Sequence, residues 1–208
     1  MTPDQIAPLF TRADGAFLCA RWGRPIVPVV FGVTDAVLPV AKGAIEAVAA
    51  LAGHELAETD GELGANLMVF FLSDWDELPL VPNLEKMVPD LGPLCARLAA
   101  AGANQYRTFR FDERGAIKAA FVFLRMDAAL AEMPAEDLML VQAVKVMLSW
   151  GEGAFTETSV LGQVGGHVVL RPDLAALIRA AYHPMLPVVA RDAAHALRLA
   201  ARMPEMGA

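Results

Sequence analysis

The sequence predicts an α+β fold: a small mixed β-sheet with a hairpin, backed by helices and followed by a C-terminal helical segment. Three observations carry that expectation. The apolar run Asn66–Leu72 has strand length and no alternation, the pattern of a strand buried on both faces. Gln105–Phe111 and Ala116–Met126 flank Asp112-Glu-Arg-Gly115, a hairpin turn with glycine placed for positive φ. Beyond the hairpin the punctuation is that of helices alone, so strands and helices are largely segregated along the chain. With 208 residues, 56% of them hydrophobic and 20% charged, residues 1–208 suffice for a single domain with a sizeable core.

In chain order, residues 1–20 have weak periodicity and read as an N-terminal arm or a short helix laid on the domain. A strand follows from about Ile26, and Pro28, which has no N–H to donate, assigns it to an edge or a bulge. Thr34 or Asp35 is placed to cap a helix with the stripe Val37, Val40, Ala41, Ala44, Ile45, Val48 and Leu51, and Gly53 is placed to stop it. After the strand 66–72, Asn83 caps a helix that Pro89, Gly92 and Pro93 interrupt. The second hairpin strand is apolar on both faces and belongs in the middle of the sheet. Pro134–Trp150 is apolar nearly all the way round, with Gln142 and Lys145 the strongly polar side chains inside it, and reads as a buried central helix. Residues 151–170 read as a long polar loop rich in Gly, Ser and Thr. Pro172 then opens a helix that ends at Tyr182-His-Pro184, and Asp192 caps a last helix.

The net charge of −7 disfavours nucleic acid and anionic membrane as partners. Arg21, Arg24, Arg107, Arg110, Arg114 and Arg125 are candidates for a local basic patch but, spread over separate segments, read better as solvated strand-edge and surface charges. Cys19 and Cys95 match no metal spacing; one disulfide is an alternative, but two free, mostly buried thiols suited to a reducing compartment are the better reading. No charge-free run reaches the ~18–20 residues of a membrane span. The chain shows no basic start or apolar leader, so it is expected to be soluble and cytoplasmic as written, or periplasmic if a leader has been trimmed.

Few residues offer chemistry. His54-Glu55-Leu-Ala-Glu58 is one letter from the zinc-peptidase pattern His-Glu-x-x-His, which works because residues four apart on a helix converge on one metal. Gly53 ends the helix before it, so that geometry is not expected, and the segment reads better as a solvated acidic connection. Asp74, Asp76 and Glu77 follow a strand and read as a solvated turn. His167 lies in the long loop, His183 at a helix end beside Tyr182, and His195 in a first helical turn, where exposure is expected. Asn66 and Gln142 are neutral amides inside apolar segments, and a buried amide needs partners. Either they bridge strand and helix internally, or Gln142 faces a cleft under the long loop with Lys145 at its rim.

Arg21-Trp-x-x-Pro25-Ile26 before one strand, Ala65-Asn66 before another, a helix with an internal Gln, and a helix closing on Ala181-Tyr182-His183-Pro184 form an ordered set over residues 17–203. In that order they resemble domain of unknown function 2927, an uncharacterised proteobacterial family that includes predicted lipoproteins. The element order is also similar to the core of zincin-type peptidases, which implies that Pro134–Trp150 stands where such a fold keeps its catalytic helix. At the matching positions Leu138–Gln142 there is neither His nor a Glu base. The resemblance therefore implies a degenerate, non-catalytic, metallopeptidase-like binding domain for a peptide, small molecule or partner protein. It needs no cofactor, and its binding candidates are Gln142, Lys145, Asn66, His167, Tyr182 and His183. Two alternatives are a metal-assisted hydrolase using His54, Glu55 and Glu58, and a structural homodimer joined through the Ala, Leu and Met residues of the last two helices.

Overall fold

The computed structural model describes residues 1–204. Its elements are α1 (Pro3–Ile6), β1 (Cys19–Ala20), β2 (Pro28–Phe31), α2 (Val37–Ala52), β3 (Leu67–Leu72), α3 (Leu84–Met87), α4 (Leu91–Ala100), β4 (Gln105–Phe111), β5 (Ile117–Arg125), α5 (Ala128–Ala131), α6 (Ala135–Met147), β6 (Leu161–Val164), β7 (His167–Leu170), α7 (Pro172–Ala181), β8 (Val189–Ala190) and α8 (His195–Ala200). The fold is α+β, built on a four-stranded mixed sheet in the order β2-β3-β5-β4.

Strand positions follow from side-chain chemistry. β3 and β5 are apolar on both faces and occupy the centre; β2, β3 and β5 run parallel, and β4 returns antiparallel along β5. Pro28 opens β2 on the edge, where its missing N–H costs no ladder bond. The two faces of the sheet carry separate cores. Leu67 and Val69 of β3, with Ala120, Val122 and Leu124 of β5, pack in one cluster with α2, α6 and α7. Phe70, Leu72, Phe121 and Phe123 pack on the other face against the 3-10 turn Trp75–Leu80, α3 and α4.

The hairpin turn is as the sequence predicts: Gly115 has φ +86°, and Asp112 Oδ1 accepts from the N–H groups of Arg114 and Ala116, each at 2.9 Å. Gly53, at φ +63°, stops α2. The start of α2 differs from expectation, because neither Thr34 nor Asp35 caps it with a side chain. The Thr34 carbonyl instead accepts from the N–H groups of Val37 and Leu38. Asn83 likewise precedes α3 in a left-handed conformation and makes no side-chain cap bond.

Three other expectations change. The long polar loop is shorter than read, since residues 161–170 form the hairpin β6–β7 across Gly165-Gly166. Both glycines have positive φ, +58° and +82°, as a two-residue primed turn requires. The segment after the central helix is therefore not purely helical, and β8 adds a further short strand by pairing with β1. The N-terminal residues include the short helix α1, and Ile6 and Phe10 anchor this segment in the main core. His195 is 4% exposed rather than solvated; burial, then the charges of Arg198 and Arg202, lower its pKa. Cys19 and Cys95 are free and buried, and burial pushes the Cys19 thiol up to about 12. Among the described residues no helix is long and apolar enough to cross a membrane.

Candidate functional site

β4 is an edge strand whose side chains alternate between the two cores. Gln105, Arg107, Phe109 and Phe111 share the face turned toward α6, while Tyr106 packs on the opposite side. α6 is buried beyond its first turn, and Gln142 and Lys145, one turn apart, are its polar side chains there. Between β4, the C-terminal end of α6 and the segment after it opens a cleft of about 620 Å³. Gln105, Arg107 and Phe109 form one wall, Lys145 another, and Trp150, Gly151, Phe155 and Thr156 a third, with Arg12 and Glu152 also lining it.

Aromatic side chains fix this end of α6. A helix leaves its last four carbonyls without intrahelical partners. Here Trp150 Nε1 donates to the Val144 carbonyl at 3.1 Å, Trp22 Nε1 to Val146 at 2.8 Å, and the Tyr182 hydroxyl to Met147 at 2.8 Å. Trp150 also stacks on Phe10 with ring centroids 5.1 Å apart and meets Phe155 edge-on. Gly151 donates to the Leu9 carbonyl at 2.8 Å, and a Cβ at this glycine would lie 2.2 Å from the Thr11 carbonyl oxygen. Glu152 accepts from the Ala13 N–H at 3.0 Å. The third wall is thus held to both the helix end and the N-terminal segment.

Positive charge predominates in the cleft, where Arg12, Arg107 and Lys145 stand against one carboxylate among the described residues, Glu152. Neither Arg107 nor Lys145 belongs to any ion pair among the described residues. The Lys145 ammonium lies 5.8 Å from the centroid of the Phe155 ring. Burial, and then the Arg107 charge, lower the Lys145 pKa to about 8. Burial alone lowers Arg107 to about 10. Both side chains are half-buried, and neither shift has a carboxylate among its causes.

The residues singled out in the sequence separate into two groups. Lys145 lines the cleft, whereas Gln142 is sealed beneath it, 1% exposed, and donates to Gln105 Oε1 at 2.9 Å. Gln142 therefore reaches the cleft only by holding Gln105, which lines it. Its own Oε1 is buried and accepts no hydrogen bond among the described residues. Asn66 is fully buried in an internal network away from the cleft: Oδ1 accepts from Val27 N–H at 2.7 Å, and Nδ2 donates to the Pro25 carbonyl and to Asp60. Tyr182 is buried as a brace for α6, with the Arg21 guanidinium over its ring and donating to its carbonyl at 2.9 Å. His183 and His167 are exposed on separate elements, at the end of α7 and on β7.

His54 stands after α2, half-buried, with Nε2 bonded to the Arg24 carbonyl at 2.9 Å and its ring edge-on to Tyr182. Glu55 and Glu58 are exposed in the irregular connection that follows. Among the described residues, no group of three or more His, Cys, Asp or Glu side chains is placed to hold a metal ion. Asp74 and Glu77 form a capping box on the 3-10 turn.

Trp150 and Phe155 were not singled out from sequence, and Arg107, read there as a solvated strand-edge charge, is instead half-buried and lines the cleft. A signal for Arg107 does exist: it shares the two-residue period of Phe109 and Phe111, which face the core, so it must point inward too. Comparison of the chain with protein-family models, curated proteins and solved structures returns no match, so the resemblance to domain of unknown function 2927 rests on the residue order alone.

Proposed function

We propose that the protein is a non-catalytic binding domain whose cleft beside α6 takes a small organic anion. The observation that carries this reading is the pair Arg107 and Lys145, two half-buried cations in one cleft with no ion-pair partner among the described residues. An anion between them supplies the missing counter-charge, and charge-assisted hydrogen bonds are stronger than neutral ones. Trp150, Phe155 and Phe109 offer apolar surface for the body of the ligand. A volume of about 620 Å³ suits a small molecule better than a peptide strand or a protein face.

This reading is compatible with α6 as the relic of a zincin-like catalytic helix whose remaining polar residues serve binding. The homodimer alternative gains less support. The apolar side chains of α7 turn into the core, with Leu174, Leu177 and Ile178 at most 1% exposed, and on α8 Leu197 is the exposed large apolar residue.

The test is ligand retention. Purified wild-type protein and Arg107→Met are incubated with a small-molecule cell extract and washed, and the retained compounds are identified by mass spectrometry. The reading expects anions held by the wild type and absent from the variant, with both proteins melting cooperatively. Equal retention by the two proteins would overturn it.

A further inference from the structure

Of the four lysines in the chain, Lys42, Lys86, Lys118 and Lys145, only Lys145 lines the cleft. Lys118 is paired with Glu62 and Lys86 donates to Asn83 Oδ1. Lys145 instead projects from the last turn of a buried, side-chain-capped helix, beside the ring of Phe155. Arg107 lines the same cleft from β4. The geometry points to Lys145 as a reversible covalent capture point, whose amine adds to the carbonyl carbon of a small aldehyde or 2-oxo acid while Arg107 holds that molecule's carboxylate or phosphate. This rests on the anion-binding reading above and names the chemical class of the anion.

The chemistry balances without an oxidant or reductant. Lys145 first gives a proton to solvent. Its lone pair then attacks the carbonyl carbon, the carbonyl π electrons move to oxygen, and one proton passes from the now cationic nitrogen to that oxygen. The resulting neutral carbinolamine loses its hydroxyl as water, which takes a proton from solvent, while nitrogen forms the C=N bond and returns its last proton to solvent. The net reaction is amine plus carbonyl giving imine plus water, and hydrolysis reverses it. A nucleophilic lysine must be neutral at working pH, and desolvation or a neighbouring cation achieves that. Lys145 has both: burial first and Arg107 second bring it to about 8, so that about a tenth of it is neutral near pH 7, far more than of an ordinary lysine. The other charged groups of the cleft are Arg12 and Glu152, and the Glu152 carboxylate accepts from the Ala13 N–H.

The test uses 4-formylbenzoate, an aldehyde carrying a carboxylate on a flat ring, with cyanoborohydride to fix any imine and peptide mass spectrometry to locate it. Lys145 is expected to be labelled at least about tenfold faster than Lys42, Lys86 or Lys118, as an activated amine in a binding site should be. Labelling should rise from pH 6 to pH 8, fall in Arg107→Met, and be suppressed by excess benzoate. Benzaldehyde, which lacks the carboxylate, should show a clearly smaller preference for Lys145 than 4-formylbenzoate does. Arg107→Lys retains a positive charge and should keep part of the preference, which guards against misreading a folding defect. Uniform labelling of all four lysines while benzoate still binds in the cleft would overturn covalent capture and leave the anion reading standing. Uniform labelling with no benzoate binding would overturn both.

Discussion

Two clusters in this protein contain the same kinds of side chain and treat them in opposite ways. At the start of the sheet, Asp60 Oδ1 accepts from the N–H groups of Glu62 and Leu63, each at 2.8 Å, and Oδ2 accepts from Asn66 at 3.0 Å. Arg24 bridges Asp60 at 3.3 Å and Glu62 at 3.1 Å, and Glu62 also pairs with Lys118. Each charge there meets an opposite one. In the cleft beside α6, Arg107 and Lys145 have no ion-pair partner among the described residues. A compensated cluster holds a fold together, whereas uncompensated, half-buried cations mark a place where the charge balance is completed from outside.

That contrast can be broken or sharpened by mutation. The largest effect should come from Asn66→Ala, which leaves the Val27 N–H, the Pro25 carbonyl and Asp60 without their amide partner. A loss of about 2–4 kcal/mol in urea unfolding is expected, because buried groups left unpaired bear their full desolvation cost. A loss under about 0.5 kcal/mol would show that the network contributes little beyond a typical surface site.

Asp60 gives the next effect, through pH. Burial alone would raise its pKa, but the N–H groups of Leu63 and Glu62, the Asn66 amide and Arg24 together hold it down at about 2. A carboxyl depressed in the folded state adds stability above its ordinary value of 3.8, and that contribution is lost as pH falls toward about 2. Asp60→Asn should therefore flatten the acid limb of the stability curve in that window. An unchanged limb would remove Asp60 as its source.

In the cleft the titrating group is a burden rather than a support, although stability again rises with pH. Lys145 titrates near 8 when folded and at its ordinary 10.5 when unfolded, so between these values the unfolded chain binds more protons. Its burden on the fold is full below about 8 and is relieved as pH rises toward 10.5. Stability should rise through that window in the wild type relative to Lys145→Met. Superimposable pH profiles for the two proteins would contradict the placement of Lys145. Smallest of all should be Gln142→Met, a change of under about 1 kcal/mol, because it removes one hydrogen bond and one unpaired buried acceptor together.

The sheet was legible because its signals are local: a doubly apolar run, a hairpin turn, a proline that must sit on an edge. Gly165-Gly166 carried a hairpin signal as well, but the polar and glycine-rich residues around it masked the strands. The cleft was half legible. Lys145 stood out as a charge inside an apolar helix, and Gln142 as an amide there. Whether each meets the cleft or the core depends on which side of α6 receives β4, and tertiary packing decides that. Trp150 and Phe155 carried no local signal, since their role comes from contact with Phe10 and the end of α6. The order of Arg21-Trp22 and Tyr182-His183, noticed as a pattern, turns out to be bracing: Trp22 and Tyr182 cap α6, and Arg21 holds the end of α7.

The central claim is that the cleft is built for negative charge. Its most direct test is calorimetric titration of the wild type and Arg107→Met with benzoate and with benzamide, a neutral molecule of nearly the same shape, at constant ionic strength. The account predicts that the wild type binds benzoate at least about tenfold more tightly than benzamide, a difference of about 1.4 kcal/mol. It predicts that Arg107→Met loses that preference. Equal affinity for the pair, no binding of either, or a preference that survives the loss of Arg107 would contradict it.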